Sequence, residues 1–271
     1  MIGIFDSGYG GLTVMKEIVR MLPQYDYLYL GDNARTPYGN RSKETIIEYT
    51  DQAVRYLFER GARLIVVACF TATSQALREL QEKYLRDPKS PYKDRKILGV
   101  VRPVVEKATQ ITRSKHIGII GTRGTIASHT FDIELKKLNE SITATSQACP
   151  LLVPFIEEGW HKKPEALSIL KKYLRPLKAH HIDTLLLGCT HYPLMIQDIR
   201  RIMGKRVKVM HSGEIVAESL VDYLKRHPEI ETQLTQKGTQ TFLTTDDTEK
   251  FKNFAQEFAH VAVSKIEKIS L

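Results

Sequence analysis

Short apolar runs alternate with longer amphipathic stretches from the first residue onward. Met1 to Phe5 predicts a buried strand, the glycine cluster DSGYGG follows, and Leu12 to Met21 carries apolar residues at helical spacing until Pro23 closes it. Tyr27 to Leu30 predicts a second strand running into GDNARTPYG, and Ser42 is placed to cap an amphipathic helix from Lys43 to Arg60 that Gly61 ends. Leu64 to Ala68 is an apolar run of the kind buried on both faces of a parallel sheet, followed by Cys69 and a helix from about Thr73 to Tyr84. The polar segment DPKSPYKDRK reads as a boundary, after which the rhythm resumes. Strands are predicted at Ile97 to Val101, His116 to Ile120, Thr184 to Leu187, Val207 to Met210 and Thr241 to Thr244. Helices lie between them, including Ile215 to Lys225, and an amphipathic helix from Glu249 to Ile269 closes the chain. Strands alternating with helices predict an α/β fold with mostly parallel sheets flanked by helices.

The chain also echoes itself. GIFDSGYGG from Gly3 to Gly11 aligns with GIIGTRGTI from Gly118 to Ile126, each an apolar strand ending in a glycine-bearing turn with a hydroxyl residue, Ser7 or Thr122. IVVACFTAT from Ile65 to Thr73 aligns with LLLGCTHYP from Leu185 to Pro193, each an apolar strand followed by cysteine and a hydroxyl residue. Gly3 to Cys69 spans 66 positions and Gly118 to Cys189 spans 71, so the landmarks recur in order at nearly equal separation. Duplication into two similar lobes is the reading this supports.

Composition sets the class. With 271 residues, 42% hydrophobic and 26% charged, the chain has enough apolar matter for a core, which excludes disorder. No apolar run approaches the roughly 18 residues of a membrane span, and MIGIFDSG lacks a basic segment leading into an apolar one, so a cytoplasmic location is expected. The net charge of +9 is concentrated: Trp160 to Met210 holds eleven Lys or Arg against Glu165, Asp183 and Asp198. Its lysines fall on helix-like stretches where solvated faces carry charge, so nucleic-acid binding is not expected as the main role.

Of the three cysteines, Cys149 sits in QACPLLVP and reads as structural. Cys69 and Cys189 each follow a buried strand and precede hydroxyls. If two such lobes face one another, both thiols enter the shared cleft, because parallel sheets bind ligands beyond the carboxyl ends of their strands. Helix-terminal N–H groups there favour thiolate over the free pKa of about 8.5. A thiolate on one face of a tetrahedral carbon and a thiol on the other are what a two-base proton exchange needs, with no cofactor required. DSGYGG and GTRGT, the latter containing Thr125, supply turn N–H groups and hydroxyls for a carboxylate. Asp6, Asp32, Glu157 and His191 are candidates for proton handling or ammonium recognition. No cysteine spacing suits a metal.

FDSGYGGLTV, YLGDNARTPYG, VVACFTAT, IGTRGTI, ACPLLVP and LGCTHYPL, in this order across most of the chain, resemble the glutamate racemase family within the aspartate/glutamate racemase superfamily. The resemblance implies a cofactor-independent isomerase interconverting L- and D-glutamate for peptidoglycan synthesis, cytoplasmic and homodimeric, with a small-molecule substrate. It implies that Cys69 serves the D-isomer and Cys189 the L-isomer, with Asp6, Glu157 and His191 assisting. Asp6, Ser7, Tyr38, Gly39, Phe70, Thr71, Thr125, Thr190 and His191 would line the substrate. It implies two pseudo-symmetric lobes with the site in the cleft between them, divided as 1-95 plus 209-271 against 96-208. Phe70, Arg102 and His211 depart from the family pattern, which commonly has Asn, Glu and Asp there. Racemisation of another amino acid such as aspartate, and a racemase-like binding protein that does not turn over, are the alternatives.

Overall fold

Ile2–Asp6, Tyr27–Gly31, Leu64–Val67 and Thr184–Gly188 are buried at every position, which places these strands in sheets covered on both faces. A computed structural model of the chain covers residues 1–271 and contains ten strands. They are β1 (Ile2–Asp6), β2 (Tyr27–Gly31), β3 (Leu64–Val67), β4 (Lys96–Gly99), β5 (His116–Gly121), β6 (Thr143–Ala148), β7 (Thr184–Gly188), β8 (Lys208–Val209), β9 (Gln240–Thr244) and β10 (Ile266–Lys268). One sheet has the order β10-β9-β2-β1-β3-β4 and the other β6-β5-β7-β8. Every pairing is parallel.

The internal echo has a structural counterpart. The segment β2-β1-β3-β4 and the whole second sheet share one spatial order, with the second strand of each set outermost, then the first, the third and the fourth. β1 and β5, which end in the glycine-bearing turns, occupy equivalent places, and so do β3 and β7, which lead into Cys69 and Cys189.

Alternation along β1 and β3 divides the core. Ile2, Ile4, Leu64 and Val66 face a continuous apolar cluster that runs through both lobes and includes Phe70, Val101, Phe131 and Leu186. Phe5, Ile65 and Val67 face a smaller cluster with Ile46, Leu57 and Phe58 of the helix Lys43–Glu59. The helix Ser212–Arg226 packs on Leu12–Met21 of the first lobe and on Val101–Ile111, so it belongs to the seam. No helix is long and apolar enough to cross a membrane.

Several elements differ from the sequence reading. Lys96–Gly99 pairs with β3 in the six-stranded sheet, so the segment DPKSPYKDRK is a loop inside the first lobe. The helix Phe70–Gln81 is the crossover that a parallel β3-β4 pair requires. Val209 pairs with Leu185 in the second sheet. Both strands therefore lie across the boundaries expected at 95/96 and 208/209. The strand β6, TATSQA, was not anticipated; it has no large apolar residue because it is an edge strand, only half-buried. The closing helix ends at Phe254 and passes through a wider turn, Ala255–Ala259. His260 then adopts a left-handed conformation (φ 54°), and the chain returns as β10 beside β9.

Candidate active site

β3 delivers Cys69 to the N-cap of the helix Phe70–Gln81, where its Sγ accepts the Ala72 N–H at 3.4 Å. Ser7 Oγ, from the turn after β1, lies 3.3 Å from the same sulfur. Burial pushes the Cys69 thiol up to about 12, the Asp6 carboxylate adds to this, and the Ser7 hydrogen bond pulls the other way. Asp6 ends β1 fully buried, accepting Gly8 N–H at 3.0 Å and the Thr190 hydroxyl at 3.3 Å. Burial raises its carboxyl above the ordinary range, partly offset by the charge of His191.

β7 delivers Cys189 to the opposite side. Its Sγ lies 3.8 Å from His191 Nδ1, and His191 Nε2 lies 2.9 Å from Glu157 Oε1 on the helix Leu152–Glu157. Burial opposes charge on this imidazole, but hydrogen bonding to Cys189 and Glu157 outweighs it and holds the pKa well above its ordinary value. Phe254 stacks on Tyr9 at 4.8 Å and stands edge-on to His191 at 6.3 Å, roofing it with an aromatic ring.

Polar contacts stitch the two sides together. Thr13 Oγ1, shared with the Gly10 carbonyl, donates to the Thr190 carbonyl at 2.8 Å. Gly10 is required there, because a Cβ would meet Thr190 Oγ1 at 2.3 Å. Thr71, Thr122 and Thr125 form a triangle of hydroxyls with edges of 2.9, 3.0 and 3.0 Å, joining the Cys69 helix to the turn after β5. Thr71 and Thr125 were among the sequence candidates; Thr122 and Thr13 were not assigned to the site. The echo had already set Thr122 opposite Ser7, which was the available signal.

Other candidates have different placements. Tyr38 donates to Asp32 at 2.5 Å, and Asp32 also takes Arg35 and Thr245, so this carboxylate is a buried structural hub. Gly39 lets the Tyr38 turn touch the second lobe, since a Cβ would lie 2.6 Å from Thr122 Cβ. The Phe70 ring, expected against the substrate, stacks on Phe131 in the apolar core. Cys149 is fully buried, and its carbonyl accepts the Tyr192 hydroxyl at 3.0 Å. Arg102 pairs with Glu106 and Glu134 on the surface, and His211 caps the helix Ser212–Arg226 through Nδ1, the task Asp would perform.

Cys69 and Cys189 are buried, at 5% and 6% exposure. A groove of about 1160 Å³ between the lobes, lined by Arg78, Arg102, Glu134 and Tyr223, contains neither cysteine.

The fold is of the two-lobed, parallel α/β class, and its relatives make it an isomerase. The chain belongs to the Asp/Glu/hydantoin racemase family, whose family model matches residues 2–220. It is 38% identical over 270 residues to a glutamate racemase of Geobacter metallireducens, covering 100% of this chain and 96% of that one. Among solved structures it resembles a glutamate racemase of Bacillus anthracis, with a TM-score of 0.89, 34% identity and coverage of 100% and 97%. It also resembles the Francisella tularensis glutamate racemase in complex with D-glutamate, with a TM-score of 0.88, 30% identity and coverage of 99% and 97%.

Proposed function

We propose that the chain interconverts L- and D-glutamate by proton transfer between Cys189 and Cys69, without a cofactor. What supports this reading is the equivalence of β3 and β7: each leads into a buried cysteine in a different lobe, and the Cys189 segment meets the first lobe where Thr190 donates to Asp6. Starting from L-glutamate, the Cys189 thiolate takes the α-proton; the C–H bond breaks, an S–H bond forms, and the electron pair remains on the α-carbon, delocalised into the carboxylate. The Cys69 thiol then gives its proton to the opposite face, which inverts the carbon and leaves Cys69 as thiolate. D-glutamate runs the sequence in reverse. His191, held by Glu157, supports the Cys189 thiolate with positive charge. The raised pKa of Cys69 suits it to wait as the proton donor.

Turn N–H groups after β1 and the hydroxyls of Thr71, Thr125 and Thr190 would hold the substrate's charged groups, with Ser7, Tyr38 and Gly39 shaping the first-lobe wall. Excluding water strengthens these contacts where negative charge develops. Homodimer assembly and supply of D-glutamate for cytoplasmic peptidoglycan synthesis belong to the same reading, and equilibrium sedimentation tests the former. The deciding experiment incubates purified protein with L-glutamate, and separately with L-aspartate, in deuterium oxide. D-glutamate carrying α-deuterium is the expected product; no exchange or inversion of glutamate overturns the reading.

A further inference from the structure

Phe70 follows Cys69, Gly188 precedes Cys189, and these two neighbours meet through a third residue. The Phe70 ring stacks on Phe131 at 6.0 Å with an interplanar angle of 17°. Phe131 belongs to the helix Thr130–Leu138 in the second lobe, and the two rings are 1% and 2% exposed. A Cβ built on Gly188 would lie 3.1 Å from Phe131 Cε2 and 3.3 Å from Cζ, so Phe131 also lies beside the backbone that carries Cys189. Phe70 begins the helix whose first turn is capped by the Cys69 sulfur, so ring and thiol share one turn. Phe131 thus neighbours both thiol-bearing segments.

We propose that the Phe70–Phe131 stack is a spacer that sets the separation of the two thiols, making both rings positioning residues. This rests on the two-thiol reading above. Transfer through a planar carbanion needs both sulfurs near attack distance at once, about 3 to 3.5 Å from the reacting carbon, and a misplacement of about 1 Å costs on the order of 10²-fold in rate. Protein interiors are close-packed, so a ring wedged between two segments transmits its thickness to both. Glycine at position 188 is part of the device, because a side chain there would crowd the ring.

The test compares Phe131→Ala, Phe131→Leu, Phe70→Ala and the double alanine variant with the wild type. Measurements are kcat and KM per folded molecule and the primary isotope effect with α-deuterated glutamate. Phe131→Ala should lower kcat by roughly 10²-fold with KM little changed. Its isotope effect should rise as proton transfer becomes more rate-limiting, a change that simple loss of folded protein does not produce. Phe131→Leu should fall between wild type and alanine in both readouts. The double variant should lose no more than the worse single one, since half of a broken stack has nothing to press against. If alanine prevents folding, Phe131→Leu decides, and wild-type kcat with a wild-type isotope effect overturns the proposal. Losses that multiply in the double variant overturn it as well. A wild type that does not racemise glutamate defeats the functional reading itself, whereas an active wild type matched by its Phe131 variants defeats the spacer alone.

Discussion

Glu157→Gln removes one charge while keeping the shape and a hydrogen bond. Glu157 Oε1 is 2.9 Å from His191 Nε2, with the side chains 19% and 5% exposed, so solvent screens the pair little. A hydrogen bond to a charged group is worth about 1.5 to 3 kcal/mol and a neutral one about 0.5 to 1.5, a difference of about 1 to 1.5 kcal/mol. At tenfold per 1.4 kcal/mol, kcat should fall roughly five- to twelvefold, with KM changing much less. The pH profile gives a second readout. Pairing with Cys189 and Glu157 raises the His191 pKa above its ordinary value. The positive charge is therefore complete below the ordinary value of about 6.5 and is lost as pH rises through the raised one. Without the carboxylate the raised value drops, so the variant should lose activity on the alkaline side at lower pH than the wild type. The fold stabilisation from the pair should be lost over the same window. Polarimetry across pH, with thermal melting alongside, makes the measurement. Unchanged kcat together with an unmoved alkaline limb would refute a supporting role for Glu157.

In deuterium oxide, Cys69→Ser should impair α-proton exchange on D-glutamate most, Cys189→Ser on L-glutamate most, and Cys149→Ser neither; nuclear magnetic resonance of the α-proton follows each, and equal tolerance of the first two would sink the two-thiol scheme. Gly10→Ala places a methyl 2.3 Å from Thr190 Oγ1 and 2.5 Å from His191 Nδ1. Such overpacking costs about 1 to 3 kcal/mol, so melting temperature and kcat/KM should both fall, and a variant unaltered in both would contradict this close approach. Duplex DNA should bind the Trp160–Met210 segment weakly at low salt and be lost at physiological salt, without affecting racemisation. A salt-resistant complex in a filter-binding assay would reverse the reading of that segment as a solvated face.

Elements whose own sequence dictates their form were legible. β1, β3 and β7 are apolar runs buried on both faces, and the helix Leu12–Met21 has a clean apolar stripe, so each was placed within a residue or two. Elements defined by their neighbours were not. β6 and β10 are edge strands whose pairing partners, not their composition, make them strands. The helix after Cys69 begins at Phe70, three residues earlier than expected, because the sulfur supplies the cap and cysteine is not an expected capping residue. In the site, Cys69, Cys189 and Asp6 were visible from their place at strand ends. Ser7 and Thr190 lay beside them in sequence. The contact of Glu157 with His191 spans 34 positions, and that of Thr71 with Thr122 spans 51; no local pattern encodes either. The reach of Phe70 into Phe131 was hidden for the same reason.

The walls of the seam are chemically unequal, with Ser7 beside Cys69 and an imidazole–carboxylate pair beside Cys189. Mirror-image substrates have identical free energies in water, so the ratio of the forward and reverse kcat/KM values of a racemase is fixed at unity whatever its walls contain. Inequality can then act only on the resting states: how tightly each enantiomer is held, and which protonation form the empty protein adopts between turnovers. Under the proposed two-thiol scheme, the form that awaits the L-enantiomer is the one with the proton on Cys69. Under the same scheme, each L-to-D turnover is followed by a proton exchange that regains that form. The lopsided seam thus leaves the equilibrium untouched and appears instead as a difference in saturation between the two enantiomers.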